Sequence, residues 1–129
     1  IAILCASVAD FTPECTAGQK LKRGNDDLVL KLKPTRDIAA SLGTTKRPDQ
    51  QLIGFALETN NEEENALSKL QRKNPDMIAL NSLRSPQAGF RYDTNQITIL
   101  HKNGTKKEYS LKTKREVAGD IVTEIEQLA

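Results

Sequence analysis

The stretch QLIGFALETNNEEENALSKLQRKNPDMIALN, residues 51–81, decides the fold. Leu52, Ile53, Phe55, Ala56 and Leu57 form a short apolar run bounded by polar residues, the pattern of a strand buried on both faces of a parallel sheet. The run ends at Glu58. Thr59, Asn60 and Asn61 carry side chains suited to capping a helix, and Glu62, Glu63 and Glu64 set negative charge against its positive end. Ala66, Leu67 and Leu70 give that helix an apolar side, Lys69 and Lys73 stand one turn apart, and Asn74-Pro75 stops it. Met77, Ile78, Ala79 and Leu80 form the next strand. The βαβ unit so formed predicts an α/β fold: a Rossmann-like, mostly parallel sheet flanked by helices. Ligands bind such open sheets outside the carboxyl ends of the strands, which directs attention to residues 58–64 and the basic side of the helix.

Upstream, IAILCASVAD (residues 1–10) reads as a first core strand whose small residues Ala6, Ser7 and Ala9 permit close approach at its carboxyl end. Residues 11–18 read as a loop broken by Pro13 and Gly18. KLKR (20–23), the turn residues 24–27 and LVLKLK (28–33) together predict a basic β-hairpin over about 19–33. Leu28, Leu30 and Leu32 alternate with Val29, Lys31 and Lys33, so that ribbon needs the body or another copy of the chain to cover its apolar face. Residues 35–42 predict a helix closed by Gly43. Downstream, residues 82–93 read as a loop with Pro86 and Gly89-Phe90, and 94–111 as a second protruding hairpin turning at Asn103-Gly104. His101, beside that turn, reads as solvated. Residues 114–129 predict an amphipathic helix burying Val117, Ile121, Val122, Ile125 and Leu128.

A length of 129 residues suits one domain or part of one, with no linker or repeat. With 19 Lys and Arg against 17 Asp and Glu there is no global pull toward nucleic acid or membrane, and aromatics at 4% leave little for base-stacking platforms. Cys5 and Cys15 lack metal-ligand spacing and fit a reduced, cytoplasmic setting. No glycine-rich run cradles phosphates, since the seven glycines are scattered. The chain starts without Met inside an apparent strand, so it is read as a fragment whose N-terminal part is missing.

Across CASVADF, KLKR, IGFALETNN and the helix carrying Lys69 and Lys73, the chain resembles the phosphopantothenate–cysteine ligase half of the bacterial coenzyme A biosynthesis flavoprotein. The resemblance runs over about residues 1–95 and keeps the family's spacing across 6–73; the final hairpin and helix match in type only. It implies a C-terminal ligase portion, residues 1–129, of a cytoplasmic enzyme, with the family's N-terminal βαβ portion missing. Its reaction would be CTP-dependent, with Mg2+: the carboxylate of 4′-phosphopantothenate attacks the α-phosphate, pyrophosphate leaves, and the amine of cysteine displaces CMP from the acyl-cytidylate. It also implies a homodimer built through the hairpins, and a fused flavin-dependent decarboxylase domain upstream.

Residue by residue, Leu4, Cys5 and Ala6 match the strand end where the family's backbone meets the nucleotide, although ordinary core packing explains small residues as well. Asp10 matches an acidic contact to sugar or base, and Asp at a strand end is also an ordinary turn former. Lys20 matches the lysine associated with nucleotide and with the second half-reaction, where its cation would offset charge as the amine attacks; a solvated ribbon face is the plain alternative. Arg36, Asp37, Ile38 and Ala39 match a nucleotide-contacting helix start, but Arg36 stands where relatives can carry proline and Ala39 where they can carry valine, so backbone contacts are the expectation. Phe55 matches a base-contacting aromatic and is equally a core residue. Lys69 and Lys73 match phosphate-clamping lysines, with Glu62 and Glu64 available as ordinary surface partners. Relatives often read Asn-Asp where this chain has Asn81-Ser82. No metal ligands are assigned; magnesium would arrive on phosphate oxygens. Two other readings remain open: a non-catalytic nucleotide-binding and dimerisation module, and a nucleic-acid-binding α/β domain.

Overall fold

Ile53, Met77, Ala79 and Ile99 are fully buried, and they sit on three adjacent strands at the middle of a five-stranded sheet. The structure, a computed structural model, describes residues 1–25, 27–58, 60–82 and 91–128. In chain order the elements are β1 (Ala2–Leu4), β2 (Phe11–Pro13), β3 (Leu32–Pro34), α1 (Ile38–Thr45), β4 (Leu52–Glu58) and α2 (Glu62–Lys73). There follow β5 (Met77–Ser82), β6 (Thr94–Asn95), β7 (Ile97–His101), β8 (Lys106–Glu108), β9 (Lys112–Thr113) and α3 (Lys114–Glu126). They divide into two units, residues 1–5 with 38–129, and residues 6–37.

In the larger unit the sheet order is β1-β4-β5-β7-β8. β1, β4 and β5 run parallel, while β5–β7 and β7–β8 are antiparallel. The expected α/β architecture with a parallel core and flanking helices is present. Side chains alternate across the strands with period two. One face carries Ile53, Met77, Ala79, Ile97 and Ile99 under Val117, Ile121 and Ile125 of α3, with Phe55, Tyr109 and Leu128 at its margin. The other carries Ala56, Ile78, Leu80 and Leu100 under Ala66 and Leu70 of α2.

The central βαβ unit follows its sequence closely. Glu62, Glu63 and Glu64 occupy the first turn of α2, and Arg72 and Lys73 the last. Its start differs in one respect: Asn61 caps with left-handed backbone, φ 47°, and its side chain accepts no cap bond, while Thr59 lies outside the described residues. Asn74, φ 53°, ends the helix in the left-handed conformation that asparagine tolerates. The capping signature of α3 is complete: the Thr113 hydroxyl accepts from the Glu116 amide, and the Glu116 carboxylate accepts from the Thr113 amide at 2.9 Å.

Several expectations are corrected. The first strand is three residues long, not ten, and it is a sheet edge with Ile3 48% exposed, so it is not a core strand. The helix after it begins at Ile38 and runs through Gly43 to Thr45. Gly43 is there for close packing: a Cβ on it would lie 1.8 Å from the Lys73 carbonyl oxygen, and Asn74 Nδ2 donates to the Gly43 carbonyl at 2.8 Å. The hairpin expected over 94–111 does form, with Gly104 at φ 87° in its turn, but β7 is a buried sheet strand, so the hairpin does not protrude. Val122 on α3 is 51% exposed, because the buried stripe follows Val117, Ile121, Glu124 and Ile125. The loop features Pro86 and Gly89-Phe90 lie outside the described residues.

The smaller unit, residues 6–37, contains one antiparallel ladder, and it is not the expected one. β2 pairs with β3 in the register Phe11↔Pro34, Thr12↔Lys33 and Pro13↔Leu32. Thus residues 11–13, read as loop, form a strand, whereas Lys20–Arg23 and 28–31 form none among the described residues. The ladder is tied off by Thr35, whose hydroxyl donates to the Ala9 carbonyl at 2.7 Å and whose amide donates to the Asp10 carbonyl at 2.9 Å. Leu28, Val29 and Leu30 remain exposed. A two-stranded ribbon whose apolar residues stay exposed gains too little to hold strand geometry along its whole length.

Candidate functional site

The carboxyl end of β4 is marked by an ion pair. Lys69, two turns into α2, reaches back along the helix as helical side chains do, and its Nζ lies 2.6 Å from Glu58 Oε1. Asn65 Nδ2 donates to the other Glu58 oxygen at 3.3 Å and to the Asn60 carbonyl at 3.0 Å. The pair is partly shielded, with Lys69 33% and Glu58 16% exposed. Glu58 opens the stretch 58–64 to which the sequence directs attention, but the sequence assigned it no role of its own. Its position, last in a buried strand and eleven before a lysine on the following helix, was the available signal.

Leu4 ends β1 paired with Gly54, so its backbone lies beside that of Phe55. The Phe55 ring, however, packs at the margin of the α3 face, while Lys69 and Lys73 belong to α2 on the opposite face. A ligand touching the ring and the lysines together must cross the sheet's carboxyl edge. Lys73, one turn beyond Lys69, lies at the end of α2 that packs on Gly43. Cys5 is exposed, Ile38 opens α1, and Ala39 is half-buried behind it. Ala6, Asp10, Lys20, Arg36 and Asp37 belong to the smaller unit, and all are exposed. The structure therefore brings Leu4 and Phe55 together, and keeps Lys69 near the end of β4.

On the α2 face, where the helix stops short of the antiparallel strands, a cleft of about 540 Å³ opens at the same end of the sheet. Asn61, Glu62, Glu63 and Glu64 line it from α2, and Gln96, Thr98 and Lys106 from the far side. Lys106 bridges it, 2.7 Å from Glu63 and 2.9 Å from Glu108, and these two carboxylates hold its ammonium above its ordinary pKa. The excess of carboxylates there repels a polyanion, so phosphate chemistry is better served at Lys69. Asn81, at the end of β5, accepts a 2.8 Å bond from Asn95 Nδ2. Among the described residues no group of three or more His, Cys, Asp or Glu is placed to hold a metal ion. Among them, too, no helix is long and apolar enough to cross a membrane.

The second polar cluster lies at the opposite end of the sheet and was missed. His101 is buried, not solvated: it ends β7 opposite Met77, beneath α3, with Nε2 3.0 Å from Glu124 Oε2. Lys107 Nζ lies 2.7 Å from Glu124 Oε1, and the Tyr109 hydroxyl donates to that oxygen at 2.8 Å. Burial, together with the neighbouring Glu124 carboxylate, pushes the Tyr109 phenol well above its ordinary range and keeps it a neutral donor.

Comparison with known proteins accords with this fold. Residues 1–128 match the family described as DNA/pantothenate metabolism flavoprotein C-terminal domain. The chain is 57% identical over 125 residues to a protein of an unknown prokaryotic organism named cysteine/cysteine sulfinic acid decarboxylase, covering 97% of this chain and 35% of that protein. It is 42% identical over 129 residues to the coenzyme A biosynthesis bifunctional protein CoaBC of Bacillus subtilis (strain 168), covering 100% of this chain and 32% of that protein. A crystal structure of the C-terminal domain of a coenzyme A biosynthesis bifunctional protein CoaBC superimposes with a TM-score of 0.75 at 37% identity, over 98% of this chain and 53% of that one. The chain spans about a third of the length of the curated relatives it matches. With its βαβ core and its match over residues 1–128, the chain belongs to the DNA/pantothenate metabolism flavoprotein C-terminal domain family.

Proposed function

We propose that this chain is the nucleotide-binding portion of a CTP-dependent phosphopantothenate–cysteine ligase acting in coenzyme A biosynthesis. The observation that carries the reading is the 42% identity to a coenzyme A biosynthesis bifunctional protein along the entire chain. The decarboxylase name of the other relative belongs to a protein of which this chain spans 35%, and the shared region is the one common to the bifunctional proteins.

In this proposal Lys69 and Lys73 meet the phosphates of CTP, Phe55 meets the base by its ring edge or backbone, and Leu4, Cys5 and Ala6 contribute backbone contacts. Asp10 takes sugar hydroxyls or base, and Arg36, Asp37, Ile38 and Ala39 act through backbone. Lys20 offsets the charge that builds as the cysteine amine displaces CMP. Magnesium enters with the nucleotide, held by its phosphate oxygens. A cytoplasmic homodimer with a decarboxylase domain fused upstream belongs to the same reading. The runner-up is a nucleotide-binding and dimerisation module without catalysis.

The test incubates the full-length protein carrying this chain with CTP, Mg2+, 4′-phosphopantothenate and cysteine, and measures pyrophosphate and CMP. Release of both is expected. CTP binding with neither product supports the module, and failure to bind CTP overturns both.

A further inference from the structure

Glu58 stands where the proposed nucleotide lysine is held. Its two oxygens are both engaged, one by Lys69 at 2.6 Å and one by Asn65 at 3.3 Å. Asn65 is itself fixed to the Asn60 carbonyl at the head of α2. The carboxylate therefore cannot swing away freely, and the ammonium is aimed at the carboxyl end of β4. The pair is partly buried, so the charges interact more strongly than a solvated surface pair would.

Resting on the ligase reading above, we propose that Glu58 is a built-in counter-ion for Lys69. It holds the lysine in place before nucleotide arrives and yields it to a phosphate oxygen when nucleotide binds. An incoming polyphosphate must compete with a fixed carboxylate for the same ammonium and lie close to that like charge. Glu58 is thus a positioning residue that weakens binding of the free phosphate chain, which favours release of pyrophosphate once the α-phosphate has been transferred. A carboxylate that merely braced the helix would leave polyphosphate affinity and its salt dependence unchanged when made neutral.

The experiment titrates inorganic tripolyphosphate and CTP into the full-length protein and its Glu58→Gln, Lys69→Met and doubly substituted variants, at ~0.05 M and ~0.5 M salt. Gln preserves shape and the acceptor for Asn65. Glu58→Gln is expected to tighten tripolyphosphate binding by about threefold to tenfold at low salt, and the gain should shrink at high salt. In the Lys69→Met background the same change should give a clearly smaller gain, since only the direct repulsion by the carboxylate remains and the difference is the coupling between the two residues. Unchanged or weaker binding by Glu58→Gln, or an equal gain without Lys69, overturns the counter-ion role while leaving the ligase reading standing. If Lys69→Met alone leaves CTP and tripolyphosphate affinities unchanged, it is the assignment of Lys69 to the nucleotide that fails. Should Lys69→Met be unstable, the doubly substituted protein, which leaves neither charge unpaired, is compared with Glu58→Gln and should bind tripolyphosphate more weakly; equal binding overturns the role.

Discussion

His101 Nε2 lies 3.0 Å from Glu124 Oε2, with the two side chains 8% and 4% exposed. The bond joins the last residue of β7 to the buried stripe of α3, twenty-three residues further along the chain. With Lys107 and Tyr109 on the other oxygen, it closes the polar end of an otherwise apolar layer. Glu124→Ala would leave His101 and the Tyr109 hydroxyl without their acceptor. A loss of about 1.5–3 kcal/mol is expected, as for hydrogen bonds to a charged group, measured by urea unfolding. A change within error would show that the cluster contributes nothing net.

The same carboxylate predicts a pH dependence. Burial pushes Glu124 up, but hydrogen bonds from Lys107 and Tyr109, the Lys107 charge and the His101 hydrogen bond outweigh it and leave the group below its ordinary 4.5. A carboxyl lowered by folding contributes stability that is present above its unfolded value and is lost as pH falls through the folded one. The gap in thermal midpoint between the parent chain and Glu124→Gln should be widest above about pH 5 and should close as the solution is made more acidic. A gap that widens on acidification would reverse the sign assigned here.

Glycine positions give opposite expectations. Gly43→Ala forces a Cβ to 1.8 Å from the Lys73 carbonyl oxygen, a backbone atom that moves only with the end of α2. A cost of about 1–3 kcal/mol or more is expected in denaturant titration. Gly119→Ala, inside α3 with nothing within 4 Å of the new Cβ, should stabilise by about 0.5–1 kcal/mol. Equal effects at the two positions would contradict the packing of α1 on α2.

In the full-length protein, Lys69→Ala and Lys73→Ala should each weaken CTP binding by about tenfold or more, the loss of one charge-assisted phosphate contact. Lys20→Gln should instead allow pyrophosphate release to continue while amide formation fails. Separate assays of pyrophosphate and CMP distinguish the two patterns, and amide formation at the parental rate in Lys20→Gln removes it from the second step.

Leu28, Leu30 and Leu32 are 69%, 60% and 52% exposed in the smaller unit. If this apolar run is the proposed dimer contact, Leu30→Asp should shift the protein from dimer to monomer in light scattering without lowering its thermal midpoint in the dilute state. A parent chain that stays monomeric at high concentration would refute the contact.

By itself, the sequence determined the βαβ unit, since an apolar run, an acidic helix start, a basic helix end and Asn74-Pro75 are local signals that need no distant partner. It also determined the turn at Gly104 and, from apolar residues at helical spacing, the helix that begins at residue 114, for the same reason. Only the tertiary structure decided that β7 is interior: His101 is buried because α3 brings Glu124 over it, and no local pattern encodes that meeting. Tertiary structure likewise chose Phe11–Pro13 over 20–23 as the partner of β3, and placed the Phe55 ring and Lys69 on opposite faces of the sheet. Glu58 belongs to the same class. Its carboxylate became part of the site only because folding set the end of β4 beside the second turn of α2, where Lys69 and Asn65 could reach it.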